Sequence, residues 1–207
     1  MTNIVDWIEL VLRWLATLAG AGTLTYAILS MLKAQRRPTG VLTGAANKVL
    51  RSSNLIIATL LFVALGYVLW RPLPIQLPLQ LRVACLAVGG PVYFTSLFLY
   101  IWGLRTLGAN FNAASGFGVR LHQAHQLITQ GPYAMIRHPM YLAVILAFWG
   151  GLLLYRSWTM LVFAVIMLGL LYRGAKEDEA LMQAFGDEWQ NYKARVPGWI
   201  IRIGKPR

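Results

Sequence analysis

An all-α, polytopic membrane protein is the fold class that this 207-residue sequence predicts. Three observations lead there. Hydrophobic residues make up 57% of the chain and charged residues only 13%, against about 25% charged in an average soluble domain. Apolar runs of bilayer-crossing length, roughly 17 to 25 residues, recur about five times, at 8–32, 53–71, 80–103, 139–155 and 157–173. The net charge of +12 is spread between those runs rather than gathered in one block, which fits membrane topology and excludes nucleic acid as the partner it serves.

The first run follows Asp6 and Glu9 instead of a basic segment, and no small-residue cleavage site comes after it. It is expected to stay as a membrane helix. The connection after it holds Lys33, Arg36, Arg37, Lys48 and Arg51, and the one after the third run holds Arg105, Arg120 and Arg137. The tail after the fifth run adds Arg173, Lys176, Lys193, Arg195, Arg202, Lys205 and Arg207. The opposite side carries Arg71, Arg82 and Arg156, with Arg13 inside the first run. By the positive-inside rule the N-terminus is expected outside, and the long loop and C-terminus in the cytoplasm.

Runs one to three read as generic membrane helices with Trp7, Trp14, Trp70 and Trp102 toward their ends, where amphipathic rings favour the interface. Arg71 to Pro78, RPLPIQLP, has three prolines and reads as a short external connection. Cys85 lies within the third run; a lone thiol makes neither an internal disulfide nor a metal site, and it reads as a small core residue. Residues 1–104 are therefore expected to form a unit of three transmembrane helices, and 105–207 the functional unit.

Residues 105–138 change character. Gly108, Gly116, Gly118, Gly131 and Pro132 break any long helix, and His122, His125 and His138 all lie there. A connection this long is usually functional or disordered, and its apolar and aromatic content argues for function. Pro139 suits a first helical turn, which puts His138 at about the N-cap. Free backbone N–H groups at such an end attract an anion, for example a ligand carboxylate; the alternative is that Arg137 and His138 only anchor the helix at the headgroups. Runs four and five are joined by little more than Arg156 and Ser157, so they form a tight antiparallel hairpin that brings His138 near Arg173.

The tail from Lys176 to Ala194 carries Ala180, Leu181, Ala184 and Phe185 at helical spacing among acids, and reads as an amphipathic helix on the cytoplasmic surface. Apart from Asp6 and Glu9, every carboxylate lies between Glu177 and Glu188. Paired-carboxylate hydrolysis, carboxylate metal clusters and intramembrane proton relays therefore lack ligands elsewhere. Arg173 and Glu177, four residues apart, share a helix face: an ordinary ion pair, or a charge put to use where an apolar run ends. Asp178 and Glu179 are expected to face solvent. Tyr133 and Tyr141 offer rings to a cationic ligand or anchor at the interface. Phe185-Gly186 and Val196-Pro197 are expected to seat the tail helix and turn the last segment back toward the membrane.

Four stretches, LITQGPY (127–133), RHPMY (137–141), Arg173 with Glu177, and FGDEWQNYKARVP (185–197), resemble in order the motifs L-V-T-x-G-x-Y, R-H-P-x-Y, R-x-x-x-E and F-G-x-x-Y-x-x-Y-x-x-R-V-P. These belong to the isoprenylcysteine carboxyl methyltransferase and phospholipid methyltransferase superfamily of integral membrane enzymes. The resemblance covers about residues 105–200. It implies S-adenosylmethionine as methyl donor, held where the cytoplasmic loop and the C-terminal amphipathic helix form the cofactor pocket. By position, His125, Gln126, Leu127 and Ile128 with Tyr133 would surround the cofactor. His138, Pro139, Met140 and Tyr141 would hold it at the helix start, and Glu177 would take its ammonium or ribose. Arg173 would face the acceptor, and Arg173, Glu177 and His138 are the implied catalytic residues. Trp189 replaces the family's usual Tyr, and Lys176 an acid often found before the Glu.

The implied reaction is carboxyl O-methylation of an isoprenylcysteine-like or other lipophilic acceptor drawn from the membrane lipid bilayer. N-methylation of a phospholipid amine, or methylation of a small acid or thiol, is the alternative. No metal is implied. A carboxylate with pKa near ~4 is ionised at neutral pH, so alignment and desolvation would suffice; an amine must first lose a proton, which His138 or Glu177 would assist. Two rival classes stand beside this one. Membrane sterol reductases share a hairpin with R-H-P-x-Y and would use NADPH, but five runs are few for them; a membrane scaffold would leave the two-part motif unexplained.

Overall fold

The computed structural model describes residues 4–35, 61–111 and 126–200. Its helices are α1 (Ile4–Gln35), α2 (Leu79–Leu107), α3 (Pro139–Tyr155), α4 (Trp158–Ile166), α5 (Gly169–Phe185) and α6 (Asp187–Arg195), with 3-10 turns at Gly108–Asn110 and Gly131–Ala134. Residues 61–68 are also helical. Among the described residues the extended backbone pairs at one isolated bridge, Pro72 with Ser157. The chain is an all-α polytopic membrane protein. Ile4–Lys33, Leu79–Leu107 and Trp158–Phe185 are long and apolar enough to cross a membrane, and Pro139–Tyr155 is a shorter apolar helix. The run expected at 53–71 falls partly outside the described residues.

Membrane helices gain little from hiding apolar surface from lipid, so close backbone approach matters more. α2 and α3 achieve it through glycines. A Cβ on Gly150 would stand 2.7 Å from the Tyr93 backbone nitrogen, and one on Gly89 would stand 3.0 Å from the Gly150 carbonyl oxygen. Around that seam, Ala16, Leu86, Tyr93 and Leu154 form one buried cluster, and Ala27, Leu104 and Met140 a second.

The α3–α4 hairpin turns at Arg156, whose φ of 49° is left-handed, and Ser157 caps α4 by accepting from the Met160 N–H at 3.4 Å. The RPLPIQLP connection is non-helical as expected and lies against this turn: Leu73 N–H donates to Arg156 O at 2.7 Å, and Trp158 N–H to Arg71 O at 3.0 Å. A charge network sits at the same end. Glu9 is 5% exposed and pairs with Arg13 at 2.5 Å, with Arg82 at 2.8 Å and with Arg156, while Asp6 pairs with Arg82 at 2.6 Å. It ties α1 and α2 to the hairpin turn, and corrects the reading of these arginines as topology markers alone.

The tail departs from expectation. α5 starts inside the fifth run, after a break at 167–168, and continues to Phe185, so the membrane run passes into the tail almost as one rod. The single helix expected over Lys176–Ala194 is two helices. Gly186, with φ +51°, ends α5 and redirects α6, a conformation that costs glycine little.

Candidate active site

Hairpin geometry brings the start of α3 against the first half of α5. His138 is the N-cap residue of α3, and its Cδ2 lies 3.3 Å from where a Cβ on Gly174 would stand. Its backbone N–H is already used. Arg137 N–H donates to Pro197 O at 2.9 Å, and His138 N–H to Gly198 O at 3.2 Å, so the returning segment is hydrogen-bonded along the Arg-His pair. Anion-attracting capacity at this helix end passes to the amides of Met140 and Tyr141, which have no helical carbonyl behind them.

The Arg137 guanidinium donates to Asp178 Oδ2 at 2.8 Å, Val196 O at 3.0 Å and Lys193 O at 3.3 Å. With its side chain 11% exposed, it clamps α5 to the C-terminal segment and is no headgroup anchor. Asp178 overturns the expectation that it faces solvent. Besides Arg137, its Oδ1 lies 2.9 Å from His138 Nε2; that approach is off the ring's N–H axis, and Oδ1 has no aligned hydrogen bond among the described residues. The physical reason is helical phase: Asp178 is one residue past Glu177, and the hairpin puts both against the same imidazole. Glu179 is exposed and paired with Lys176 at 2.8 Å.

His138 is 5% exposed. Its Nδ1 lies 4.0 Å from Glu177 Oε2, and its ring stacks on Tyr141, centroids 5.8 Å apart and 12° between planes. The Arg173 guanidinium carbon lies 5.4 Å from the Tyr141 ring centre, and the Tyr141 hydroxyl meets both Arg173 and Glu177. The ring offered to a cation thus already has one.

Trp189, Tyr192 and Val196 of α6 and its exit form a buried cluster with Leu127, Leu181 and Phe185. The Tyr192 hydroxyl donates to the Tyr133 carbonyl at 2.7 Å, fastening the tail to the loop. Burial pushes the Tyr192 phenol up despite the opposing Arg137 charge, and does the same at Tyr133, so both stay protonated at neutral pH. Trp189 is 2% exposed, and its Nε1–H has no hydrogen-bond partner among the described residues.

These elements enclose one cavity. The loop contributes Gln126, Leu127, Ile128 and Tyr133; the start of α3 contributes His138, Pro139, Met140 and Tyr141; α5 contributes Arg173 and Glu177. His125 lies outside the described residues. Sequence reasoning missed Trp189, Tyr192 and Leu181 as walls, together with Leu107, Asn110 and Phe111 at the end of α2. For Trp189 and Tyr192 a signal existed in the FGDEWQNYKARVP stretch. For Asp178 none did, because three consecutive acids look alike without the fold.

The family model described as phospholipid methyltransferase matches residues 84–188. Methanethiol S-methyltransferase 1 of Bradyrhizobium diazoefficiens is 28% identical over 184 residues, which is 83% of this chain and 61% of that protein. The Delta(14)-sterol reductase TM7SF2 of Mus musculus is 29% identical over 148 residues, 65% of this chain and 33% of that protein. The chain therefore spans less than two thirds of either relative.

Proposed function

The chain belongs to the phospholipid methyltransferase family, and from that premise we propose that it is an S-adenosylmethionine-dependent integral membrane methyltransferase acting on a lipophilic acceptor. One observation carries the reading: His138, Tyr141, Arg173 and Glu177, drawn from two separate motifs, line one cavity together with the loop residues Gln126, Leu127 and Ile128.

The side chains suit the cofactor. Glu177 would take its ammonium or ribose hydroxyls, the Met140 and Tyr141 amides its carboxylate, and Leu127, Ile128 and Leu181 its adenine. The orphaned Trp189 Nε1–H supports the fit, because a buried donor left unpaired costs about 1–3 kcal/mol and a polar ligand would supply the acceptor. When bound, the cofactor supplies an electrophilic methyl group. The residues around it bind, orient and exclude water.

A second cavity, about 310 Å³, lies between α1, α2, α3 and α4. Ala143 lines it, one turn along α3 from Met140 in the first cavity, and its largely apolar wall supports a lipophilic acceptor body drawn from the bilayer. The acceptor's nucleophile is either a carboxylate forked by Arg173, as in isoprenylcysteine-like carboxyl methylation, or an N–H or S–H group. On the same reading the cofactor cavity opens to the cytoplasm and the N-terminus lies outside.

Calorimetric titration of the purified protein tests this. S-adenosylhomocysteine is expected to bind and NADPH not to bind. The reverse result would move the chain to the reductase class.

A further inference from the structure

Asp178 stands behind the cavity, touching two residues of the RHPMY stretch and serving no role in the reading above. We infer that Asp178 is a positioning residue that fixes His138 with Nε2–H toward its carboxylate and Nδ1 as the proton-accepting atom facing the cavity, for an acceptor that carries an S–H or N–H group. The inference rests on the methyl-transfer reading and narrows its acceptor.

The imidazole is held on every side. Arg137, next to it in sequence, holds Asp178 Oδ2 at 2.8 Å and is itself held by the carbonyls of Val196 and Lys193, so the carboxylate cannot turn away. Tyr141 and Trp199 pack on the ring. From α5, Glu177 and Asp178 face it, and Arg173 lies over the Tyr141 ring that stacks on it. A carboxylate oxygen 2.9 Å from Nε2 attracts an N–H there and repels a lone pair, so the neutral ring keeps its lone pair on Nδ1. That atom lies 4.0 Å from Glu177 Oε2, and His138 and Glu177 both line the cavity.

Acceptor chemistry decides whether such an atom has a use. A carboxylate is ionised at neutral pH and needs no base, and Arg173, the residue suited to fork one, is engaged by the Tyr141 ring and hydroxyl. A thiol, with pKa near ~8.5, or an alkylamine, near ~10, is mostly protonated at neutral pH. For these the proton leaves sulfur or nitrogen for Nδ1, and the freed pair forms the bond to the methyl carbon. The pair of the broken carbon–sulfur bond stays on the departing thioether sulfur. The imidazolium charge is then balanced by the Asp178 carboxylate beside Nε2, which stays a carboxylate, and the extra proton passes to water after product leaves.

Nitrogen-15 spectra of histidine-labelled protein without ligand, with the His138 signals assigned by their loss in His138→Gln, read the tautomer directly. Nε2 is expected protonated and Nδ1 bare in the wild type, with that pattern lost in Asp178→Asn and kept in Asp178→Glu. Decanethiol, decylamine and decanoic acid then serve as acceptors of equal chain. Turnover of the thiol or amine is expected to fall about 100-fold in Asp178→Asn, the range of a lost general base, in protein that still binds S-adenosylhomocysteine. A wild-type ring protonated at Nδ1 alone, or methylation confined to decanoic acid, would overturn the inference. Neither result touches the methyl-transfer reading, which fails separately if the wild type binds no S-adenosylhomocysteine.

Discussion

The Trp199 indole lies on the His138 imidazole, ring centroids 5.0 Å apart, and Gly174 is the reason it can. A Cβ on Gly174 would stand 2.7 Å from Trp199 Cζ2 and 3.3 Å from His138 Cδ2, so a methyl group there must displace one ring or both. Overpacking of this kind costs about 1–3 kcal/mol. Gly174→Ala is expected to weaken S-adenosylhomocysteine binding by roughly tenfold, and adding Trp199→Ala to recover part of it. Calorimetric affinities check this; an unchanged single mutant would show that His138 holds its place without the seal.

Glu177 and Arg173 lie one helical turn apart on α5, yet they are expected to fail differently. Losing a hydrogen bond to a charged group costs about 1.5–3 kcal/mol, so Glu177→Ala, like His138→Ala, should lower S-adenosylhomocysteine affinity tenfold or more. Arg173→Ala should leave that affinity within a few-fold and reduce acceptor turnover. Titration of each variant beside single-turnover methyl transfer separates the two effects. Equal loss of cofactor binding in all three would remove the division of roles.

How far the sequence reaches can be seen residue by residue. The pairing of His138 with α5 was legible, because a two-residue link between apolar runs leaves only an antiparallel hairpin. The non-helical RPLPIQLP connection was legible from its prolines. Asp178 was not: adjacent acids on a helix differ by about 100° in direction, and only the packed position of α3 selects which ones turn inward. The split at Gly186 was hidden because the apolar spacing of Ala180 to Phe185 runs up to it without interruption. The Glu9 cluster was hidden for another reason. Its arginines come from three distant segments, and their shared partner shows only when α1 lies along the hairpin.

That cluster makes its own prediction. Glu9 is a buried carboxylate facing Arg13, Arg82 and Arg156, and removing one partner of a buried pair costs about 3–5 kcal/mol because the remaining charges stay behind. Glu9→Ala is expected to lower the thermal midpoint of the detergent-solubilised protein by several degrees, and Glu9→Gln by less, since the amide keeps a hydrogen-bond acceptor. The folded fraction should bind S-adenosylhomocysteine as the wild type does, because the cluster sits at the far end of α3 from His138. A midpoint unchanged in Glu9→Ala would mean that the network adds nothing to the fold.

Trp189 separates ligand binding from packing in one substitution. Its Nε1–H is buried and unpartnered among the described residues, while its ring supports Tyr192, centroids 5.3 Å apart. Trp189→Phe removes the orphan donor, which relieves about 1–3 kcal/mol, and also removes ring volume, which costs an amount of the same order. The ligand-free midpoint should therefore change little. The bound state loses a hydrogen bond with no such offset, so the affinity for S-adenosylhomocysteine is expected to fall about tenfold. By linkage, a tenfold weaker ligand at fixed excess stabilises by about 1.4 kcal/mol less, which in a chain of this size is roughly 3–6 °C of thermal shift. Trp189→Tyr, which supplies an O–H donor in place of the N–H, should lie between the two. Melting curves with and without S-adenosylhomocysteine check all three proteins, and a Trp189→Phe shift equal to the wild type's would show that the indole N–H never meets the ligand.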